Sequence, residues 1–125
     1  MLQSLLGYRQ PQPTTGFRTR PQIETVTPVQ LHQRLNEPGA PLVVDVRSPE
    51  EYKLDGHISG SRLLPLPMLL QRSDEIPQDR PVVFVCRSGS RSQAACEQLA
   101  ARGYTNVINM GGGMIGWRSA GLPSE

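Results

Sequence analysis

The chain has 125 residues, 37% of them hydrophobic, with 13 basic and 11 acidic side chains and a formal net charge of +2. That is one domain's worth of sequence, able to build a core without disulfide or metal staples, and its apolar runs stop far short of the ~20 residues of a membrane-spanning helix, so a soluble chain with no membrane partner is expected. Cys86 and Cys96 fit neither a disulfide framework nor a CxxC or zinc spacing, and His32 and His57 add none; no metal or cofactor is expected, and a reducing, cytoplasmic compartment fits best.

Residues 1–22 read as an extension. They hold Arg9, Arg18 and Arg20, no acidic residue, and many Pro, Gln and Thr. The remainder is close to neutral, with no basic stripe to argue for nucleic acid. The extension lacks the apolar stretch of a secretory signal. Its composition suits a disordered tail better than the alternative, an organelle-transit segment.

From residue 23 to residue 125 the pattern predicts a single domain. Ile23–Val26 is a short β-branched run. Thr27 is a good N-cap and Pro28 a good first helical residue, opening a helix with Val29, Leu31 and Leu35 as its apolar stripe. Glu37-Pro38-Gly39 stops it. Leu42–Val46 is apolar on both faces, as in a buried parallel strand. Ser48-Pro49-Glu50-Glu51 has the form of a capping box, and Gly56-His57-Ile58 closes that short helix. Arg62–Leu66 suggests a strand and Met68–Arg72 a short helix. Pro81–Val85 is the clearest strand. A helix follows through Arg102, burying Ala95, Cys96 and Leu99, with Gly103 as its cap. Thr105–Met110 is the last strand, and Gly111–Gly113 breaks it before a final turn around Trp117. Strands alternating with helices in this way predict a parallel α/β sheet with helices on both faces.

The stretch from Val82 to Ser92, VVFVCRSGSRS, carries the chemistry. A buried strand ends at a cysteine and a helix begins a few residues later; ligand sites in open α/β sheets lie at the carboxyl ends of strands. Small residues around Gly89 allow a tight wrap with several backbone N–H groups aimed inward, an anion cradle backed by a helix N-terminus. A cysteine held there should have a lowered pKa, helped by Arg87 and Arg91 if they face inward. Its thiolate could attack a sulfane sulfur, and the amides of Arg87, Ser88, Gly89, Ser90 and Arg91 could then hold the added atom. Cys96, mid-helix among alanines, reads as a core residue.

Three blocks in order resemble the single-domain rhodaneses: the CRSGSRS loop; Asp45-Val46-Arg47-Ser48-Pro49-Glu50-Glu51-Tyr52 followed by Gly56-His57-Ile58-Ser59-Gly60; and Gly116-Trp117-Arg118-Ser119-Ala120-Gly121-Leu122-Pro123. The resemblance runs from about Ile23 to Pro123. It implies a rhodanese-like five-stranded parallel sheet and a persulfide on Cys86. A small sulfur-containing anion such as thiosulfate would be the donor, and a thiol, cyanide or a protein the acceptor. It also implies that Asp45, Arg47 and Glu51 form a buried polar network that supports the fold. Ser59 and Ser61 depart from the family's usual proline and alanine, so the shape of the pocket rim does not follow from the resemblance.

Two other functions are to be weighed. A persulfide carrier or redox-sensing module would dock a protein acceptor through the tail or the Ser59–Leu66 segment. A cysteine phosphatase or arsenate reductase needs a longer loop, with arginine at position 92 to bind two phosphate oxygens; Ser92 stands there, and the arginine falls one place early, at Arg91. Gly111–Gly116 matches GxGxxG, but no strand remains to supply the acidic residue of a dinucleotide site, so these glycines read as a close turn against the sheet. His57 reads as a hydrogen-bonded structural histidine, His32 as solvated, and Trp117 as a core anchor.

Overall fold

The computed structural model describes residues 22–125, and the extension expected over residues 1–22 lies outside them except for Gln22. The elements are β1 (Glu24–Val26), α1 (Pro28–Leu35), β2 (Leu42–Asp45), α2 (Pro49–Leu54), β3 (Arg62–Leu63), β4 (Val82–Val85), α3 (Ser90–Ala100), β5 (Val107–Met110) and α4 (Gly113–Ser119). The sheet is five-stranded in the order β1-β5-β4-β2-β3, with every pairing parallel. Both helix starts marked by proline form as read, Thr27 and Ser48 each closing a reciprocal capping box. No helix among the described residues is long and apolar enough to cross a membrane.

Side chains alternate across a strand, and this parity builds two cores. On one face Val44, Val46, Val82, Phe84 and Cys86 pack with Ala95, Cys96 and Leu99 of α3. On the other Val43, Val83, Val85, Ile108 and Met110 pack with Leu31 of α1 and Met114 and Trp117 of α4. Because Cys86 keeps the parity of Val82 and Phe84, its side chain falls on the α3 face. The Trp117 indole is buried, and its N–H donates to Pro123 O at 2.9 Å.

Several boundaries differ from the pattern-based expectation, each for a local reason. Val29 is 46% exposed, so the buried side of α1 rests on Leu31 with Leu35 packed beside it. The third strand stops at Leu63 because Pro65 has no N–H for the ladder, although Leu64 and Leu66 still donate to Asp45 O and Val46 O. Met68–Arg72 is no helix; 3₁₀ turns form instead at Leu66–Met68 and Ser73–Glu75. β5 starts two residues late, after Asn106 turns its side-chain amide to Pro77 O and Arg80 O. α3 ends at Ala100, and the left-handed Gly103 lets Tyr104 N reach Leu99 O. The final turn is a seven-residue helix. His32 is half-buried, its ring edge-on to Trp117 at 5.8 Å, and not simply solvated.

The carboxyl end of β2 is fixed by a buried ion pair. Arg47 Nε donates to Asp45 Oδ1 at 2.9 Å and Nη2 to Asp45 Oδ2 at 2.8 Å, while Nη2 also reaches Gly56 O at 2.7 Å. Both side chains are essentially inaccessible, and Arg47 Nη1 has no hydrogen-bond partner among the described residues. Such a pair contributes little net stability, but removing one member leaves a bare buried charge. Asp45→Asn should therefore lower the unfolding free energy by about 3–5 kcal/mol in urea denaturation.

Candidate active site

The sulfur of Cys86 sits inside a ring of donors. Gly89 N donates to Sγ at 3.1 Å and Ser92 N at 3.3 Å, and the Ser92 hydroxyl lies 3.3 Å from it. Gly89 has φ +105°, a value that suits glycine, and it allows the chain to turn from strand to helix within four residues. Burial alone would push the thiol pKa up. The Ser92 hydroxyl and the amides of Ser92, Gly89 and Ser88 more than offset it, and the net shift is downward.

The Ser88 amide points inward because the carbonyl opposite it is held from outside. Cys86 O accepts from Met114 N at 2.8 Å and Arg87 O from Ile115 N at 3.0 Å. In a trans peptide C=O and N–H point in opposite directions, so anchoring Arg87 O on α4 aims Ser88 N–H back toward the sulfur. Gly113 makes this approach possible: its φ is +58°, and a Cβ there would strike Arg87 O and lie 2.6 Å from Cys86 O. The glycine triplet thus turns close to the sheet, as read, and in doing so braces the loop.

Asn109 staples the loop from below. Its Nδ2 donates to Gly89 O at 3.3 Å and to Gln93 Oε1 at 3.2 Å, and its Oδ1 accepts from the Ser92 hydroxyl at 2.5 Å. That hydroxyl has one proton to share between Asn109 and the sulfur. In the thiol the S–H can donate to Ser92 Oγ; once the sulfur ionises, the Ser92 proton can turn to it.

The arginines depart from expectation. Neither makes a hydrogen bond to Sγ. Arg91 is spent on Glu51 in a fork, Nη1 to Oε1 at 2.7 Å and Nη2 to Oε2 at 2.8 Å. Arg87 is exposed and has no side-chain hydrogen bond or ion pair among the described residues. Ser88 and Ser90 are exposed as well, their hydroxyls 3.5 Å apart, so the Ser92 hydroxyl is the loop side chain that joins the backbone amides at the sulfur. Glu51 is not part of the Asp45–Arg47 pair. It joins α2 to α3, and the Arg91 guanidinium holds its carboxyl at about 2.

The local sequence pattern does not single out Ser92 or Asn109 as partners of the sulfur and its loop. Strand parity is the signal that could have found Asn109, since it shares a face with Val107. Cys96 is buried in the core with its thiol pushed up to about 12 by burial, in keeping with a structural role. His57 stacks on Tyr52 at 3.8 Å and its Nδ1 pairs with Tyr52 O at 2.9 Å, as a structural histidine should.

Two outcomes follow from this geometry. In Ser92→Ala the thiol should titrate at higher pH, seen as an upward move in the midpoint of iodoacetamide alkylation against pH. An unmoved midpoint would mean that the hydroxyl proton stays on Asn109. For Glu51 the folded pKa of about 2 lies below the ordinary 4.5. The ion pair therefore contributes fully above about pH 4.5, and its contribution is lost as pH falls toward 2. Glu51→Gln should flatten that part of the acid profile, measured as the urea midpoint at pH 5 and pH 3.

The same architecture is found in known proteins. Residues 27–120 match the family model described as Rhodanese-like domain. A protein named sulfurtransferase from Allochromatium vinosum is 45% identical over 93 residues, which are 74% of this chain and 86% of that one. Thiosulfate sulfurtransferase GlpE from Ectopseudomonas mendocina is 38% identical over 104 residues, 83% of this chain and 92% of that one. The crystal structure of a rhodanese-related protein from Thermoplasma volcanium superposes with a TM-score of 0.74 at 28% identity, covering 82% of this chain and 97% of that one. With a parallel five-stranded sheet, a cysteine at the end of its central strand and a family match over most of its length, this chain belongs to the rhodanese-like domain family.

Proposed function

We propose that the domain over residues 23–125 is a sulfurtransferase, that residues 1–22 are an extension to it, and that Cys86 carries the sulfur as a persulfide. The observation that bears the most weight is the donor ring on Sγ: two amides at 3.1 and 3.3 Å, with a hydroxyl at 3.3 Å. Donors preorganised around a sulfur lower the cost of its charge and so raise its thiolate fraction. The names of the relatives, sulfurtransferase and thiosulfate sulfurtransferase, support the same reading and favour thiosulfate as an assay donor.

In the first step the Cys86 thiolate attacks the outer sulfur of thiosulfate. A new S–S bond forms, the old one breaks, and its electron pair leaves with sulfite. The product, Cys86–S–S⁻, has one more sulfur and the same charge as the starting thiolate. In the second step cyanide or a thiolate attacks the outer sulfur, and the electron pair of the inner S–S bond returns to Sγ. Charge balances in both steps, and neither calls for an outside oxidant or reductant. Arg87, Ser88, Gly89, Ser90 and Arg91 act here through their backbone, and Asp45 and Arg47 by fixing the neighbouring strand end. Glu51 acts by holding Arg91.

A phosphatase reading lacks its main tool. The cradle position that would need a guanidinium for two phosphate oxygens holds the neutral Ser92, and Arg91 is committed to Glu51. A persulfide carrier with a protein acceptor would share the first step and differ in the second. Stoichiometric labelling without turnover would point to it.

Intact-mass spectrometry tests the proposal. After thiosulfate treatment the protein should gain the mass of one sulfur atom, Cys86→Ser should gain none, and Cys96→Ala should keep nearly full thiosulfate–cyanide turnover. An unchanged mass in the native protein would overturn it.

A further inference from the structure

Beside the cradle lies a pocket of about 470 Å³ that the chemistry above does not use. Its walls are Val46, Pro49, Pro65, Leu66, Pro67 and Met68, and its polar members are Ser48 and Arg91. Both polar groups are engaged elsewhere. Ser48 Oγ donates to Glu51 Oε1 and accepts from Glu51 N, each at 3.2 Å, and both Arg91 Nη atoms are on the same carboxylate. The pocket therefore offers a ligand an apolar wall whose one cation is neutralised. Yet Met68 stays 41% exposed at its edge.

The pocket is lined in part by Arg91, from the loop that carries the reacting sulfur, and by Val46, at the neighbouring strand end. Val46 packs in the same cluster as Cys86 and donates its amide to Val85 O, the residue before the cysteine, at 2.9 Å. Leu66 N donates to Val46 O at 3.0 Å, which ties the outer wall to that floor. Arg91 belongs both to the pocket and to the first turn of α3. An acceptor reaching the outer sulfur of Cys86–S–S⁻ would thus have this wall alongside it. Inorganic anions gain nothing from such a surface, since a charge set against hydrocarbon loses its hydration.

Building on the sulfurtransferase reading, we infer that the pocket holds the hydrocarbon part of a small organic thiol, which is the sulfur acceptor. The thiol loses its proton to water, its thiolate attacks the outer persulfide sulfur, and the inner S–S bond breaks with its electron pair returning to Sγ. The products are an organic persulfide anion and the regenerated Cys86 thiolate, with atoms and charge conserved. The cradle selects the sulfur, and the apolar wall selects what is attached to it.

Straight-chain alkanethiols test this. Their thiol pKa values are nearly alike, so rate differences along the series report on the chain and not on the nucleophile. The persulfide form, prepared with thiosulfate, is mixed with thiols from ethanethiol to pentanethiol, and its loss is followed by intact mass. Burial of each added methylene should raise the second-order rate about two- to fourfold. In Met68→Gln, at a position 41% exposed, the ratio of the pentanethiol rate to the ethanethiol rate should shrink toward one. A flat series in the native protein, with cyanide still discharging the persulfide, would overturn the inference and leave the sulfurtransferase standing. A steep series unchanged by Met68→Gln would overturn the assignment of the pocket. Failure to form the persulfide at all would overturn both readings.

Discussion

A buried sulfur and a negative charge are in conflict, because burial removes the water that would solvate a thiolate. Peptide N–H groups stand in for that water here, and they can do so only if the peptides cannot turn over. A free loop would let each C=O and N–H exchange places at little cost. In this chain the outward carbonyl of Arg87 is held by Ile115 N of α4, so the inward direction of Ser88 N–H is decided by contacts on the far side of the peptide plane. The electrostatics of the site are thus set by packing behind it.

That dependence explains why distant parts of the chain converge on one loop. β5 contributes Asn109, which ties the Gly89 carbonyl and the Ser92 hydroxyl to the sheet. The turn after β5 contributes Gly113, whose missing side chain is the space that Arg87 O occupies. α2 contributes Glu51, whose fork with Arg91 fixes the start of α3. Each contact restricts a rotation that would otherwise let a donor leave the sulfur. A site organised in advance pays no reorganisation cost when charge develops.

Much of this was legible in order along the chain, and the remainder was not, for a geometric reason. The strand, cysteine and small-residue turn of Val82–Ser92 are sequence-local, so the cradle could be read before any fold was known. Helix caps are local too: the Ser48–Glu51 capping box formed as read, and the Thr27 N-cap gained a reciprocal partner in Gln30. Glu51 shows where locality ends: its bond to Ser48 spans three residues and was visible, while its bond to Arg91 spans 40 and was not. Grouping it with Asp45 and Arg47 followed closeness in sequence, but the helix start separates them. Asn109 needed both the sheet order and the strand parity to be placed beneath Ser92. The 3₁₀ turns around Pro65 and Pro67 were missed because the two prolines break an apolar pattern that, on hydrophobicity alone, reads as strand and then helix.

The cradle and the pocket divide recognition between them. A ring of backbone amides and one hydroxyl reads charge and size, and it would accept any small soft anion whose outer atom fits beside Sγ. It reads little of the rest of a molecule on the Arg91 side, because the Arg91 guanidinium and the Ser48 hydroxyl there are already paired with Glu51. Discrimination among sulfur compounds must therefore come from the surface that the leaving or attacking group touches, and on the Arg91 side that surface is hydrocarbon from Val46 to Met68. Neutralising Arg91 with Glu51 matters to this division. Unpaired, Arg91 would add to the long-range attraction that the exposed Arg87 exerts on dianions; paired, it leaves burial of apolar surface as the force that the pocket itself offers an acceptor.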